Sequence, residues 1–306
     1  MRTVRFALLT AALLPATALA ADAPGAPWWL WPIALFAVTF LLGIVAVLGG
    51  IGGGVLFVPI VGGFFPFHLD FVRGAGLLLA LSGALAAGPT LLRSGLASLR
   101  LAMPLALVGS IASIFGALAG LALPTAVVQV ALGGVILLIA LVMWRASNSD
   151  RPEVAAPDPL GRALGMRGVF HDHPLREDVD WRVHRTPVGL ALFALIGFMA
   201  GMFGLGAGWA NVPVLNLVMG VPFKVAVSTS GFLLSVIDTS AAWVYLNQGA
   251  LLPILHVPSI LGVMLGARVG ARLLRRVRAT TARRIVVAVL LVAGSRALAK
   301  GLGIWD

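Results

Sequence analysis

Asp238 is the one acidic residue inside a long apolar stretch of this chain, 226–246. A carboxyl in a membrane-spanning segment is costly to bury, and such groups mark solute paths and proton relays. Asp238 is therefore the proton-coupling candidate. It lies twelve residues after Ala226, or about 18 Å along a helix, past the midplane toward the non-cytoplasmic side. Two glycine clusters offer a second kind of chemistry, Gly49-Gly50-Ile51-Gly52-Gly53-Gly54 and Gly201-Met202-Phe203-Gly204-Leu205-Gly206-Ala207-Gly208. Each separates two apolar pieces, and glycine weakens a helix by about 1 kcal/mol relative to alanine. A helix that restarts after such a break presents free N–H groups and a partial positive charge, which favour an anion. Gly50, Gly52, Gly53, Gly54, Gly204, Gly206 and Gly208 are thus candidate anion contacts. Asn211, three residues past Gly208, and the hydroxyls of Ser228, Thr229 and Ser230 join them. Tight packing of helices through small residues is the competing reading of these glycines.

Other patterns exclude chemistry. Cysteine is absent, which removes disulfides, thiolate metal sites, iron–sulfur clusters and cysteine nucleophiles. No Gly-Lys-Ser/Thr follows the glycines, so a soluble phosphate loop is rejected. No span carries His-Glu-x-x-His or a pair of aspartates, and an intramembrane enzyme is not expected. His171-Asp172-His173 with His184 matches no strong metal spacing, so neither metal nor cofactor is expected. His256 reads as a packing histidine. Ser228, Ser235 and Thr239 fall on one helical line that either lines a polar path or bonds its own helix. Trp28, Trp29, Trp31, Trp243 and Tyr245 read as interface anchors.

The elements that must hold these residues follow from composition. The 306 residues are 60% hydrophobic and 11% charged, against roughly 25% charged in a soluble domain. The formal charge of +11 sits between long apolar runs, so the expected partner is a lipid bilayer and not nucleic acid. Residues 1–20 resemble a cleaved secretory signal, with Arg2 and Arg5 before a short apolar run and Ala18-Leu19-Ala20 at its end. Apolar stretches near 28–49, 72–92, 101–121, 124–144, 187–204, 226–246, 253–274 and 283–303 approach the roughly 20 residues a bilayer core needs. The pieces 53–64 and 207–219 are shorter. Residues 145–186 form the single long polar stretch, expected as an extramembrane loop with at most a short amphipathic piece.

A shift of 154 positions superposes the halves without a gap. Gly43 falls on Gly197, Gly50 on Gly204, Gly52 on Gly206, Gly54 on Gly208, Pro59 on Pro213, Gly95 on Gly249 and Pro104 on Pro258. Glycine and proline dictate backbone shape, so one backbone is built twice, as 21–144 and 187–306, joined by a cytoplasmic 145–186. If each short piece crosses the membrane, seventeen lysines and arginines fall inside and only Arg73, Arg296 and Lys300 outside. If each is re-entrant, the split is nine against eleven. Positive residues favour the cytoplasmic side, so five crossings per half are expected. An odd number inverts the second copy, as in secondary transporters.

Gly50-Ile51-Gly52-Gly53-Gly54-Val55-Leu56-Phe57-Val58-Pro59, its counterpart Gly204-Leu205-Gly206-Ala207-Gly208-Trp209-Ala210-Asn211-Val212-Pro213, and Ala226-Val227-Ser228-Thr229-Ser230 resemble the TauE/SafE sulfite-exporter family, also called toluene-sulfonate uptake permeases. The resemblance covers roughly 38–145 and 187–303. It implies an all-α, multi-pass carrier in the bacterial inner membrane, its N-terminus outside, moving sulfite, a sulfonate or a related small anion. Two features depart from the family. Val72-Arg73-Gly74-Ala75-Gly76 stands where a Ser/Thr-containing segment is usual, and 145–186 is longer. Import of another small organic anion and a membrane scaffold whose loop binds a partner are the alternatives. Oligomeric state is not legible.

Overall fold

The computed structural model describes residues 29–49, 53–93, 97–145, 158–172, 177–274 and 279–304. The expected signal segment lies outside them. The first half runs α1 (Leu30–Gly49), α2 (Gly53–Phe64), α3 (Leu69–Arg93), α4 (Leu99–Ala122) and α5 (Thr125–Arg145). A short helix, α6 (Pro159–Ala163), and an antiparallel hairpin, β1 (Arg167–Asp172) with β2 (Glu177–Arg182), lead into the second half. That half runs α7 (Thr186–Phe203), α8 (Gly208–Pro213), a π-helical turn Val214–Val218, α9 (Phe223–Asn247), α10 (Pro253–Leu274) and α11 (Ala279–Gly301). Adding 154 to the bounds of α3 gives those of α9, and the same shift carries the starts of α4 and α5 onto those of α10 and α11. The glycine–proline skeleton thus sets element boundaries in both halves.

The described residues are all-α apart from the hairpin. Among the described residues four helices are long and apolar enough to cross a membrane, Leu99–Ala122, Thr186–Phe203, Phe223–Asn247 and Pro253–Gly270. Leu30–Ala46, Gly53–Phe64 and Thr125–Leu141 are shorter apolar helices.

The helices pair across the halves. α1 packs on α10, α4 on α7 and α9, α3 on α9, and α5 on α11. Glycines make the closest approaches. A Cβ on Gly262 would lie 2.6 Å from the Phe36 carbonyl, and one on Gly266, a turn further on, would strike that of Phe40, so α1 and α10 run parallel. Gly197 meets Gly109 and Gly201 meets Ser113, so α4 and α7 are parallel too. By contrast, Gly133 lies against Gly294 and Leu298 while Gly301 lies against Val130, which makes α5 and α11 antiparallel.

The second glycine cluster breaks the chain in a defined way. Gly204 and Gly206 have φ of 69° and 71°, a left-handed conformation that costs other residues about 1–2 kcal/mol. The chain then turns back. The His184 amide donates to the Met219 carbonyl at 3.1 Å, so residue 219 lies level with the start of α7. Pro213 cannot donate within the helix, and the wider turn that follows is closed by the Met219 amide on the Val214 carbonyl at 3.0 Å.

The described part of the polar stretch, 158–172 and 177–186, is more ordered than its composition implies. Pro159 opens α6 at a position where its missing N–H costs nothing. Asp158 caps it, accepting from the Gly161 amide at 3.2 Å and from the Thr186 hydroxyl at 2.7 Å. Met166, Trp181 and Val183 are buried in a cluster with Leu101, Leu105 and Met219. The hairpin is therefore a small cap fixed to one end of the helices, hereafter the hairpin end.

Two outcomes follow from this packing. Gly201→Leu should lower thermal stability by about 1–3 kcal/mol or more through overpacking against Ser113. Gly134→Ala, with nothing within 4 Å of an added Cβ, should be neutral or stabilising by up to about 1 kcal/mol; thermal melts of detergent-purified variants measure both. Partial burial disfavours the charged Asp158, but its hydrogen bonds from Thr186 and Gly161 outweigh this and hold the carboxyl below its ordinary range. A depressed folded value means the cap's contribution is present above that range and fades as pH falls through it. Asp158→Ala should cost about 1 kcal/mol and make proteolysis at 167–182 faster and independent of mild acid; unchanged cutting would refute it.

Candidate functional site

The site is built around the break between α7 and α8. At its upper edge the last carbonyls of α7 have no intrahelical partner, because the helix stops at Phe203. Side chains from two other helices satisfy them. The Tyr245 hydroxyl of α9 donates to the Gly201 carbonyl at 2.9 Å. Arg73 of α3 donates through Nη1 to the Met202 carbonyl at 2.9 Å. A cation at a helix C-terminus also meets the negative end of its dipole. The guanidinium carbon lies 5.8 Å from the centre of the Tyr245 ring.

Seven residues of α9 separate Tyr245 from Asp238, about 10 Å. The chain descends that distance between Met202 and Gly206. A Cβ on Gly206 would lie 3.0 Å from Asp238 Oδ2 and 2.8 Å from the Ala80 Cβ. The acid thus faces the turn itself. Asp238 is fully buried, and neither oxygen has a hydrogen-bond partner of ordinary geometry among the described residues. Asn211 on α8 is also fully buried, with both amide atoms in the same condition. Trp209 packs against both large apolar clusters, one dominated by each half.

The start of α2 meets the second-half break. A Cβ on Gly54 would lie 2.7 Å from both the Gly76 and Leu205 carbonyls, and one on Gly76 would strike Gly204. The backbone of Gly54, Gly76, Gly204 and Leu205 therefore meets in one crossing that leaves no room for a side chain at its three glycines, with Gly206 beside it. Gly53 sits beside it at the start of α2, 3.0 Å from Val263 by the same measure. Gly208 starts α8. Gly50 and Gly52 lie outside the described residues.

Ser228, Thr229 and Ser230 are buried but stand apart from this crossing. Eight residues of α9 divide Ser230 from Asp238, about 12 Å. Thr229 accepts the Ser98 amide at 3.1 Å, at the start of α4. Along the line through Ser235 and Thr239 the hydroxyls turn to the backbone. Ser235 donates to the Phe232 carbonyl at 2.7 Å and exposed Thr239 to that of Ser235 at 2.5 Å, each bonding its own helix. Tyr245 is no interface anchor; it is fully buried beneath α7, whereas Trp29 and Trp243 are exposed. His256 is buried, with Nδ1 2.6 Å from the Leu252 carbonyl. Among the described residues no three His, Cys, Asp or Glu side chains gather as metal ligands.

Arg73 is the residue beside the break that sequence reasoning misplaced. Counted as a surface charge, it is instead 1% exposed. The available signal was its position, the fifth residue of an apolar helix, with Val227 at the equivalent place in the repeat.

Comparison with known proteins bears on what such a break serves. Residues 35–297 match the family described as sulfite exporter TauE/SafE. The probable membrane transporter protein ORF9 of Sinorhizobium sp is 28% identical over 269 residues, covering 87% of this chain and 91% of that protein. The probable membrane transporter protein YunE of Bacillus subtilis (strain 168) is 28% identical over 119 residues, 39% of this chain and 44% of that protein. No solved structure matches.

Gly206→Ala should damage this site locally. It forces a left-handed alanine and drives a methyl onto Asp238 and Ala80. The expected result is at least tenfold lower flux with a folded protein by size-exclusion chromatography. Gly83→Ala, with nothing within 4 Å, should retain full flux; equal activity of the two variants would contradict the assignment.

Proposed function

The chain is a membrane transporter of the sulfite exporter TauE/SafE family, and from that premise we propose that it is a secondary carrier for a small sulfur-containing oxyanion such as sulfite or an organosulfonate. One observation carries the reading. Backbone from both halves crosses at Gly54, Gly76 and Gly204–Gly206, with a buried carboxyl facing the turn. Irregular backbone at membrane depth survives only within protein or beside a wet cavity, and in secondary transporters such breaks hold the solute at the interface of two repeats.

The helix pairing supports an inverted repeat. If the halves are inverted, each helix runs antiparallel to its own counterpart, as α5 does to α11. Each also runs parallel to helices of opposite sense in the other copy, as α1 does to α10 and α4 to α7. A direct repeat would make α5 and α11 parallel. The return of the chain to His184 after the break favours five crossings per half, and with them the inner-membrane orientation that places 145–186 in the cytoplasm.

Asp238 supplies the coupling in this reading. Asn211 and the backbone at Gly53, Gly54, Gly204, Gly206 and Gly208 surround the solute, with Gly50 and Gly52 completing the first-half cluster and Ser228, Thr229 and Ser230 lining its path toward the hairpin end. A charged carboxylate repels an anion about 5 Å away by roughly 3 kcal/mol at an effective dielectric of 20. Protonation removes that repulsion, so proton and anion travel together. No covalent step is needed, and no enzyme activity is proposed.

Purified full-length protein in proteoliposomes should move labelled sulfite faster when a pH gradient drives protons the same way. Asp238→Asn should abolish the gradient's effect while leaving some gradient-independent flux. Absence of flux for sulfite, thiosulfate and organosulfonates alike would end the substrate class; a gradient response unchanged in Asp238→Asn would end the coupling role.

A further inference from the structure

Arg73 does more chemistry than capping requires. Among the described residues it is the one fully buried cation. Nη1 serves the Met202 carbonyl and Nη2 pairs with the Asp70 carboxylate, but Nε has no hydrogen-bond partner among the described residues. A guanidinium binds an oxyanion best in the plane of its fork, through two parallel N–H groups. The Nε–Nη2 edge is such a fork, and Asp70 occupies half of it. Asp70 shows by its own carboxylate that an oxyanion fits there.

The surroundings lead from the surface to that edge. His68 has a side chain 55% exposed and lies 3.3 Å from Asp70; the Asp70 side chain is 27% exposed and that of Arg73 2%. Arg73 then abuts Gly204, whose Cβ would lie 2.5 Å from the Arg73 Cα, and Gly206 follows against Asp238. The guanidinium thus meets the chain at Met202, just before the short turn, and the acid meets it at Gly206 within the turn. At this same end of the helices, Arg296 donates to the Gly63 carbonyl at 2.8 Å and sits 4.1 Å from the Phe64 ring centre. These contacts account for that cation through the end of α2 and leave Arg73 as the one beside the break. At the position of Arg73 in the repeat stands Val227, so the feature exists on one side only.

We propose that Arg73 is the anion-selecting residue of the carrier, taking a tetrahedral or pyramidal oxyanion on its Nε–Nη2 edge in exchange for Asp70 as the solute passes from the His68 end to the glycine crossing. The inference rests on the carrier reading above. Asp70 is the internal competitor in this scheme. It neutralises the guanidinium when no solute is present and must yield when one arrives. A neutral solute gains nothing from the exchange, so the site selects by charge.

The test uses full-length protein, with sulfite binding measured by calorimetry in detergent and sulfite uptake in proteoliposomes. Asp70→Asn should tighten sulfite binding and lower KM at least threefold, because the competitor is weakened. Arg73→Lys keeps a charge and a donor for Met202 but loses the fork; KM should rise tenfold or more while kcat falls less and the melting temperature holds. A purely structural cap predicts the reverse pattern, in which both variants retain the wild-type KM and Kd, and that result overturns the proposal. If Arg73→Lys does not fold, the Asp70→Asn result decides alone. Sulfite binding that depends on these residues without any uptake would uphold the site and end the carrier reading; a wild-type protein that binds no sulfite overturns the site itself.

Discussion

Backbone polar groups in an apolar interior must find partners, and a helix broken inside hydrocarbon leaves several without them. That constraint organises the second half of this protein. Ending α7 at Phe203 frees carbonyls, and Tyr245 from α9 and Arg73 from α3 come in to meet them. The break therefore fixes where three helices lie. It also explains a buried guanidinium that would otherwise be costly to desolvate. The glycines act through space instead of through hydrogen bonds. They let the backbone of α2, α3 and the break approach so closely that no side chain fits between them.

Function in this account grows from the same economy of groups. A guanidinium meets the chain just before one turn and a carboxyl meets it within that turn, and the turn is where both halves meet. A charge of either sign there acts on a neighbouring charge far more strongly than it would in water. The asymmetry between halves is consequently informative. The repeat reproduces the backbone, whereas Asp238 and Arg73 have Ala84 and Val227 as counterparts. A shared scaffold carries a polar site on one side only.

Much of the fold was legible because glycine and proline constrain the backbone directly. The offset of 154 residues, read from those two residue types, reproduces helix bounds that hydrophobicity alone would blur. The location of the break was legible for the same reason, and Asp238 stood out as a lone acid. Side-chain partners were not legible. Counting charges by side treats every cation as solvated, which misplaces Arg73; the position of Tyr245 along its span suggests an interface residue because it does not reveal what lies beneath. Ser235 and Thr239 share a line on α9, yet periodicity cannot tell a polar path from hydroxyls bonded to their own helix. The hairpin escaped notice since its order comes from Met166, Trp181 and Val183 packing on distant helices and from the Asp158 cap, not from local propensity.

The proposed inversion of the two halves underlies the reading of this crossing as a shared site. The cysteine-free chain permits a clean measurement with single substitutions at repeat-equivalent positions. Arg100→Cys and Ile254→Cys, which are 154 residues apart and both at exposed positions, should react with a membrane-impermeant thiol reagent from opposite faces of the membrane. Reaction of both from the same face would mean a direct repeat and contradict the account.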